Sequence, residues 1–354
     1  MGALGALFMA SLVFMSSKFQ ACEGEMSKFT LKRIKKVNKN GPYVGILTTT
    51  SSEMDPLLDS LKDDVSNSFN FQYIDCEGRR FHFGRIKKKK VIFAMTGKGM
   101  INAAVVAKLL LGLFDVRALL HFGTAANANP NLNIGDVTIP QFWAHTGLWN
   151  WQRYGDGPDD ELPLESDGYF TREIGSLNFA DYTNGGGEDN SDNILNSVWY
   201  QPEEIFPINQ TPESSDQVFW VAVNRIFINL AKKLEGMKLK GCINNTLCLP
   251  TPPKVITVEK GSSSNIYLDN VAYRSFLNSK FKVTPVDMES AAIALASHQH
   301  KVPFIVFRAL SDLAGERSTY SNGVHTFKSL ATKNCAKVVL HFLKKMEIPK
   351  IEPM

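Results

Sequence analysis

Four short polar clusters stand where apolar runs of this chain break off: Thr96-Gly97-Lys98-Gly99, Gly123-Thr124-Ala125-Ala126, Asp287-Met288-Glu289-Ser290 and Arg308-Ala309-Leu310-Ser311-Asp312. Gly97 and Gly99 let backbone come close to a ligand, and free N–H groups at a helix start favour an anion or a polarised oxygen. The Thr124 hydroxyl, set among small residues, suits a sugar or a phosphate. Glu289 precedes an alanine-rich stretch, and a carboxylate buried beside so much apolar sequence must be paired or hydrogen-bonded. Vicinal ribose hydroxyls match its two oxygens. Asp312 follows the apolar run VPFIVF and can hand a proton to a leaving group, with Ser311 orienting it. Each cluster also has a plain structural reading: two tight turns, a helix N-terminal acid favoured by the dipole, and a capping Asp paired with Arg308. Their order along the chain carries more weight than any one of them.

The elements that must position these clusters alternate between strand and helix. YVGILTTT (43–50) reads as a buried strand, and Ser51-Ser52-Glu53 opens a helix. FNFQYIDC and RRFHFGRI read as a hairpin turning at Glu77-Gly78. KVIFAMTGKGMINAAVVAKLLLGLF (90–114) is a strand, a glycine turn and a helix; residues 117–140 are a strand, a small-residue turn and a second strand. Residues 216–234 have helical apolar spacing and read as one long helix, and PKVITVEKG (253–261) as a strand ending at its glycine. VDMESAAIALASHQH leads into a helix, VPFIVFRALSDLAG is a strand ending in polar residues, and 324–345 is an amphipathic helix. This alternation predicts an α/β fold with a largely parallel sheet covered on both faces, and ligands then bind at the carboxyl ends of strands. A loop-rich insertion over about 155–250 breaks the rhythm. Segments this long are lids, insertions or partly disordered.

The composition, 44% apolar and 21% charged over 354 residues, is that of a globular protein. A net charge of +4 demands neither nucleic acid nor an anionic membrane. The basic runs 32–36 and 87–90 read as a solvated linker and a solvated turn, and residues 23–40 as a loose arm before folded sequence starts at Gly41-Pro42. Residues 3–15 are apolar and uncharged, too short for a stable membrane span, and fit the core of a secretory signal over residues 1–24. An uncleaved anchor or a buried helix are the other readings. The signal predicts the secretory pathway, with a vacuolar or extracellular destination. Asn209 and Asn244 head glycosylation sequons. None of the five cysteines has metal-site spacing, so no metal is expected. Cys242 and Cys248 either pair across a short loop or stay two thiols.

The run IFAMTGKGMINAAVVAKLLLGLFDVRALLHFGTAANANPNLNIGDVTIP, with VDMESAAIALA and VFRALSDLAG, resembles the nucleoside phosphorylase/nucleosidase family that includes methylthioadenosine/S-adenosylhomocysteine nucleosidase. TAANANPNLNIGDVTIPQFWAHTGLWNW and GSSSNIYLDNVAYRSFL are more similar to its plant branch of bark and vegetative storage proteins. The resemblance covers 41–345 outside the insertion. It implies a three-layer α/β/α fold with a central mixed, partly barrel-like sheet, and a homo-oligomer. It implies a purine nucleoside or base as ligand, cytokinin-type ribosides included, and no nucleic acid. It also implies roles: Asp312 as general acid to the purine, with Ser311; Glu289 and Met288 at the ribose; Tyr267 stacking on the base, followed by Leu268; Glu53 positioning the attacking water; Arg308 and Thr124 near the nucleophile. No cofactor is implied, and inorganic phosphate is the candidate co-substrate, with Gly97, Gly99, Thr124 and Arg308 as candidate holders. Phosphorylases of the family bind phosphate through arginines. Here His121 precedes Gly123, the 48–56 loop has no arginine, and Asn265 stands where an acid is expected. Water is therefore favoured over phosphate. The competing expectations are a nitrogen storage protein with a degenerate pocket and a non-catalytic binder.

Overall fold

The computed structural model describes residues 26–62, 72–86, 88–151, 174–178, 197–208, 210–211, 214–315 and 321–349. The expected signal segment, Asn209 and much of the insertion lie outside the described residues.

The first part of the chain runs α1 (Lys28–Asn38), β1 (Tyr43–Thr48), α2 (Ser51–Lys62), β2 (Gln72–Cys76), β3 (Arg79–Ile86), β4 (Lys89–Met95), α3 (Met100–Leu113), β5 (Val116–Asn127) and β6 (Val137–His145). Short strands follow: β7 (Trp149–Trp151), β8 (Ser176–Asn178), β9 (Ser197–Tyr200), β10 (Glu203–Ile205), β11 (Asp216–Val218) and β12 (Val221–Ala222). Then come α4 (Arg225–Lys232), β13 (Val255–Ser263), α5 (Val271–Phe281), β14 (Val283–Asp287), α6 (Ser290–Gln299), β15 (Phe304–Leu313) and α7 (Ser321–Lys345).

β1 pairs in parallel with β4 and β5, and all six of its residues are buried, as a strand covered on both faces must be. β5 pairs in parallel with β15, β15 antiparallel with β6, β6 in parallel with β13, β13 in parallel with β14, and β14 antiparallel with β5. Those five strands close a ring, and β1, β4, β3 and β2 continue from it as an open wing. This is the mixed, partly barrel-like sheet of a three-layer α/β/α fold. Helix α3 contributes Met100, Ala103, Val106, Ala107 and Leu110 to the main core, and α7 contributes Val338, Val339, Phe342 and Leu343.

Four local expectations are corrected. Residues 216–234 are not one helix. Val221 and Ala222 pair with Trp143 and Phe142 on β6, and only from Arg225 does the chain turn helical. The Asn224 side chain accepts from the N–H groups of Ile226 and Phe227 and caps that start. An available sheet edge outweighed the helical spacing of 216–223. Residues 28–38 are not a loose arm: Ser27 caps α1, and Ile34 is buried in the core. Gly123-Thr124-Ala125-Ala126 is not a turn. β5 runs through it because β15 continues beside it, with Gly123 opposite Arg308 and Thr124 opposite Ala309. β13 likewise passes Gly261 to reach Ser263. Among the described residues no helix is long and apolar enough to cross a membrane, and no group of three His, Cys, Asp or Glu could hold a metal ion. Cys242 and Cys248 form a disulfide.

Candidate active site

A cavity of about 210 Å³ opens where β1, β5, β14 and β15 end and α3 and α6 begin. Met288, Glu289, Asp312, Ser311, Glu53, Thr124, Tyr267 and Leu268 all line it. Gly97, Gly99 and Arg308 do not; they stand behind the wall and hold those that do.

Glu53 enters from the first turn of α2, buried to 5% exposure. Its Oε1 accepts the Thr124 N–H at 2.8 Å and the Thr124 hydroxyl at 3.1 Å, and Oε2 accepts the Thr49 N–H at 3.0 Å. Every partner is a donor, so the geometry suits the ionised carboxylate. An ionised carboxylate offers about four lone-pair directions. Three are used, which leaves one for a donor inside the cavity.

Glu289 sits at the start of α6. Its Oε1 accepts the Gly99 N–H at 2.8 Å, across the glycine turn that begins α3. Gly97 and Gly99 need positive φ, at 79° and 93°, to make that turn, conformations that glycine adopts at no steric cost. The next free amide of α3, Met100 N–H, goes to Asn265 Oδ1 at 2.9 Å. So the helix start is already capped by this chain's own side chains. Burial first, then the Asp287 charge, push the Glu289 carboxyl above its usual range.

Asp287 lies beneath Glu289 as its anchor. Oδ1 accepts the N–H groups of Glu289 and Ser290, both at 3.0 Å, and the Ser263 hydroxyl at 2.5 Å. Oδ2 accepts the Ser290 hydroxyl and Arg308 Nε, the latter at 2.6 Å. Arg308 is completely buried, and its Nη2 lies 3.0 Å from His121 Nδ1. Burial and then Arg308 hold the His121 imidazole well below its usual range, so the ring is neutral. Neither the arginine nor the histidine reaches the cavity. Both serve the carboxylate that fixes Glu289.

Asp312 and Ser311 owe their positions to a β-bulge. The β5–β15 register shifts between Leu310 and Asp312, so Ser311 is an extra residue. Neighbours on a regular strand point to opposite faces, and a bulge breaks that alternation. Hence both Ser311 and Asp312 line the cavity. Ser311 Oγ lies 2.5 Å from Asp312 Oδ1 and 3.1 Å from the Ala125 carbonyl. Burial raises the Asp312 carboxyl above its usual range, against the opposing Ser311 hydrogen bond, and Asp269 adds to the rise. Tyr267 is 76% exposed at the rim, with Leu268 buried behind it. Lys98 of the first polar cluster also lines the cavity, as do Thr49, Thr50 and Lys328, to which the sequence assigns no role. Lys328 lies on α7 in a surface pattern that gives no signal of its own.

The pattern of the phosphorylase superfamily matches residues 43–182 and 231–344. The chain belongs to this superfamily. Bark storage protein A of Populus deltoides is 31% identical over 280 residues, covering 78% of this chain and 81% of that protein. A 5'-methylthioadenosine/S-adenosylhomocysteine nucleosidase of Halalkalibacterium halodurans is 24% identical over 288 residues, 81% of this chain and 93% of the other. Among solved structures, the Colwellia psychrerythraea nucleosidase in complex with adenine superposes with a TM-score of 0.57 at 19% identity, covering 85% of this chain and 94% of that one. The Helicobacter pylori futalosine hydrolase superposes at 0.55 and 18% identity, covering 86% and 98%. These superpositions show a shared fold.

Proposed function

We propose that this protein cleaves the N-glycosidic bond of purine nucleosides with water as the nucleophile. The observation that carries the reading is one cavity lined by a buried carboxylate with one direction left open, Glu53, a second carboxylate with a free oxygen, Glu289, and a carboxyl shifted toward its protonated form, Asp312.

In this reading Asp312 gives its proton to a purine ring nitrogen, which makes the base a neutral leaving group. Ser311 donates to Asp312 Oδ1 and steadies the carboxylate that results. The C1'–N bond breaks with its electron pair going to the base, and positive charge spreads over the sugar ring oxygen and C1'. A water held in the open direction of Glu53 attacks C1' and passes a proton to that carboxylate. The products are free base and sugar, and solvent exchange returns the proton from Glu53 to Asp312. Glu289 accepts the ribose hydroxyls through Oε2, and Tyr267 covers the base. General acid and general base steps of this kind contribute about 10²–10⁴-fold each.

Water is favoured over phosphate because the backbone and hydroxyl donors at the strand ends are spent within the chain, which leaves only the Lys98 and Lys328 side chains of the cavity lining to meet an anion. Thr124 gives both its N–H and its hydroxyl to Glu53, Gly99 gives its N–H to Glu289, and Met100 to Asn265. Arg308 holds Asp287 through Nε and does not line the cavity, and its Nη1 is a buried donor with no hydrogen-bond partner among the described residues. An anion would face the Glu53 carboxylate.

Purified protein is incubated with adenosine, inosine, methylthioadenosine and an adenine-type cytokinin riboside, with and without phosphate, and free base is resolved by chromatography. Release without phosphate is expected. Release only with phosphate would overturn the water reading. No release above an Asp312→Asn control would overturn the enzyme reading. It would leave the storage role in the name of the 31% identical relatives, which is our second reading. Calorimetry with adenine then separates storage from base binding. We also infer a secretory route, supported by the 3–15 apolar run and by the Cys242–Cys248 disulfide, which needs an oxidising compartment. N-terminal sequencing of protein secreted from eukaryotic cells tests it: a mature chain that still begins at Met1 would refute it.

A further inference from the structure

The sequon Asn244-Asn245-Thr246 stands at the tip of a small hairpin that takes no part in the cavity. Leu249 N–H donates to the Gly241 carbonyl at 2.8 Å and Ile243 N–H to the Leu247 carbonyl at 2.9 Å, and the Cys242–Cys248 disulfide ties the two arms together. The base of the hairpin is fixed to α7. The Asn334 side chain accepts the Lys240 N–H at 2.9 Å and donates to the Lys240 carbonyl at 2.8 Å, and Leu249 is buried against Phe327 and Leu330. The tip has no such packing. Residues 243–248 are all exposed, the apolar Ile243 and Leu247 at 37% and 39%.

The hydrogen bonds of the tip fix how the Asn244 amide is turned. Its Oδ1 accepts the Thr246 N–H at 3.0 Å, the Thr246 hydroxyl at 3.1 Å and the Leu247 N–H at 2.8 Å. Two of those donors are backbone N–H groups, which the amide oxygen can accept and the amide nitrogen cannot. The oxygen therefore faces the turn and Nδ2 faces away from it, with no partner among the described residues. An N-linked glycan replaces one hydrogen on Nδ2 and leaves the lone pairs of Oδ1 in place. The folded turn keeps all three hydrogen bonds with a glycan attached. The turn by itself calls for Asn244, because Asn side chains bond the backbone two residues on. It does not call for a hydroxyl at 246, and the Thr246 hydroxyl meets only that amide among the described residues.

We propose that Asn244 carries an N-linked glycan. The site rests on the secretory route proposed for the chain, because the disulfide beside it and the glycan both need that route. Nδ2 attacks C1 of an oligosaccharide carried on a polyprenyl diphosphate. The N–C1 bond forms, the C1–O bond breaks with its electron pair leaving on the diphosphate, and one amide proton passes to a base of the transferase. The closed hairpin then holds the glycan at its tip, beside the exposed Ile243 and Leu247.

The test is translation of the full chain with and without endoplasmic-reticulum microsomes, then protease protection, then amidase release of glycans in heavy-oxygen water and peptide mapping. Mapping separates this site from the Asn209 sequon. Protected chain is expected to carry a heavy-oxygen aspartate at position 244 after release. N244Q should lose one step of the mobility shift that release produces. T246A should lose the label, and T246S, which keeps the hydroxyl, should retain it. These readouts are taken on imported chain and do not depend on how well a variant folds. A chain that microsomes do not protect would overturn the secretory route and this site with it. Protected chain without label at position 244 would overturn this site alone, and so would a label that survives T246A.

Discussion

Replacing Gly123 with alanine puts a Cβ 2.5 Å from Arg308 Nη1 and 2.6 Å from Glu53 Oε1. Both are far inside heavy-atom contact, which is most favourable at roughly 3.5–4.0 Å. Neither neighbour can swing away cheaply. Arg308 is pinned by Asp287, Ser290 and His121, and Glu53 by Thr49 and Thr124. Overpacking a rigid site costs about 1–3 kcal/mol. Pushing Glu53 off one of its N–H donors removes a charge-assisted hydrogen bond worth about 1.5–3 kcal/mol. The sum, about 2.5–6 kcal/mol, is a large share of a domain's stability. Any part that Glu53 absorbs by moving shows up as lost turnover instead, toward the 10²–10⁴-fold range typical of a misplaced base. Urea denaturation and base release from adenosine are measured on the same preparation. An alanine variant within about 0.5 kcal/mol of the wild type and with full turnover would refute the clamp between Arg308 and Glu53.

Asp312→Asn should abolish base release and change the pH dependence of stability. The Asp312 carboxyl is raised in the folded state, so its stabilising contribution is complete below the usual carboxylate range and is lost as pH rises through the folded value. The thermal midpoint of the Asn variant should therefore gain on the wild type as pH rises. Glu289 shifts in the same direction but is common to both proteins, and a gap that does not widen with pH would contradict the burial argument. Arg308→Met leaves Asp287 buried without its partner and should cost about 3–5 kcal/mol, part of which Asp287→Asn should restore. A double variant as unstable as the sum of the singles would show that the pair is not coupled. C242S/C248S opens a loop with a sequence separation of 6 and should cost about 2 kcal/mol without altering base release, since neither cysteine lines the cavity. A change in turnover would contradict that separation.

Much of the site is legible in the chain because its residues are local to strand ends. Asp312 follows VPFIVF, Glu289 precedes an alanine run, and Glu53 opens the helix after YVGILTTT. Pairing was less legible. GTAAN looks like a turn by composition, yet β15 lies beside it and keeps it extended. Residues 216–223 have helical spacing, yet an open edge of β6 took two of them as a strand.

The sequence by itself determined the strand–helix alternation and which polar side chains end the strands, because backbone preference and burial period act over a few residues. Tertiary structure decided which of those side chains face a ligand and which hold the ones that do. Arg308, Gly97 and Gly99 look as reactive in sequence as Glu53 and Asp312. Ring closure buries the arginine against Asp287, and the glycine turn gives its amide to Glu289. A single bulge at Ser311 turns Asp312 inward. Contacts between residues up to 190 positions apart made these choices, and no local pattern carries them.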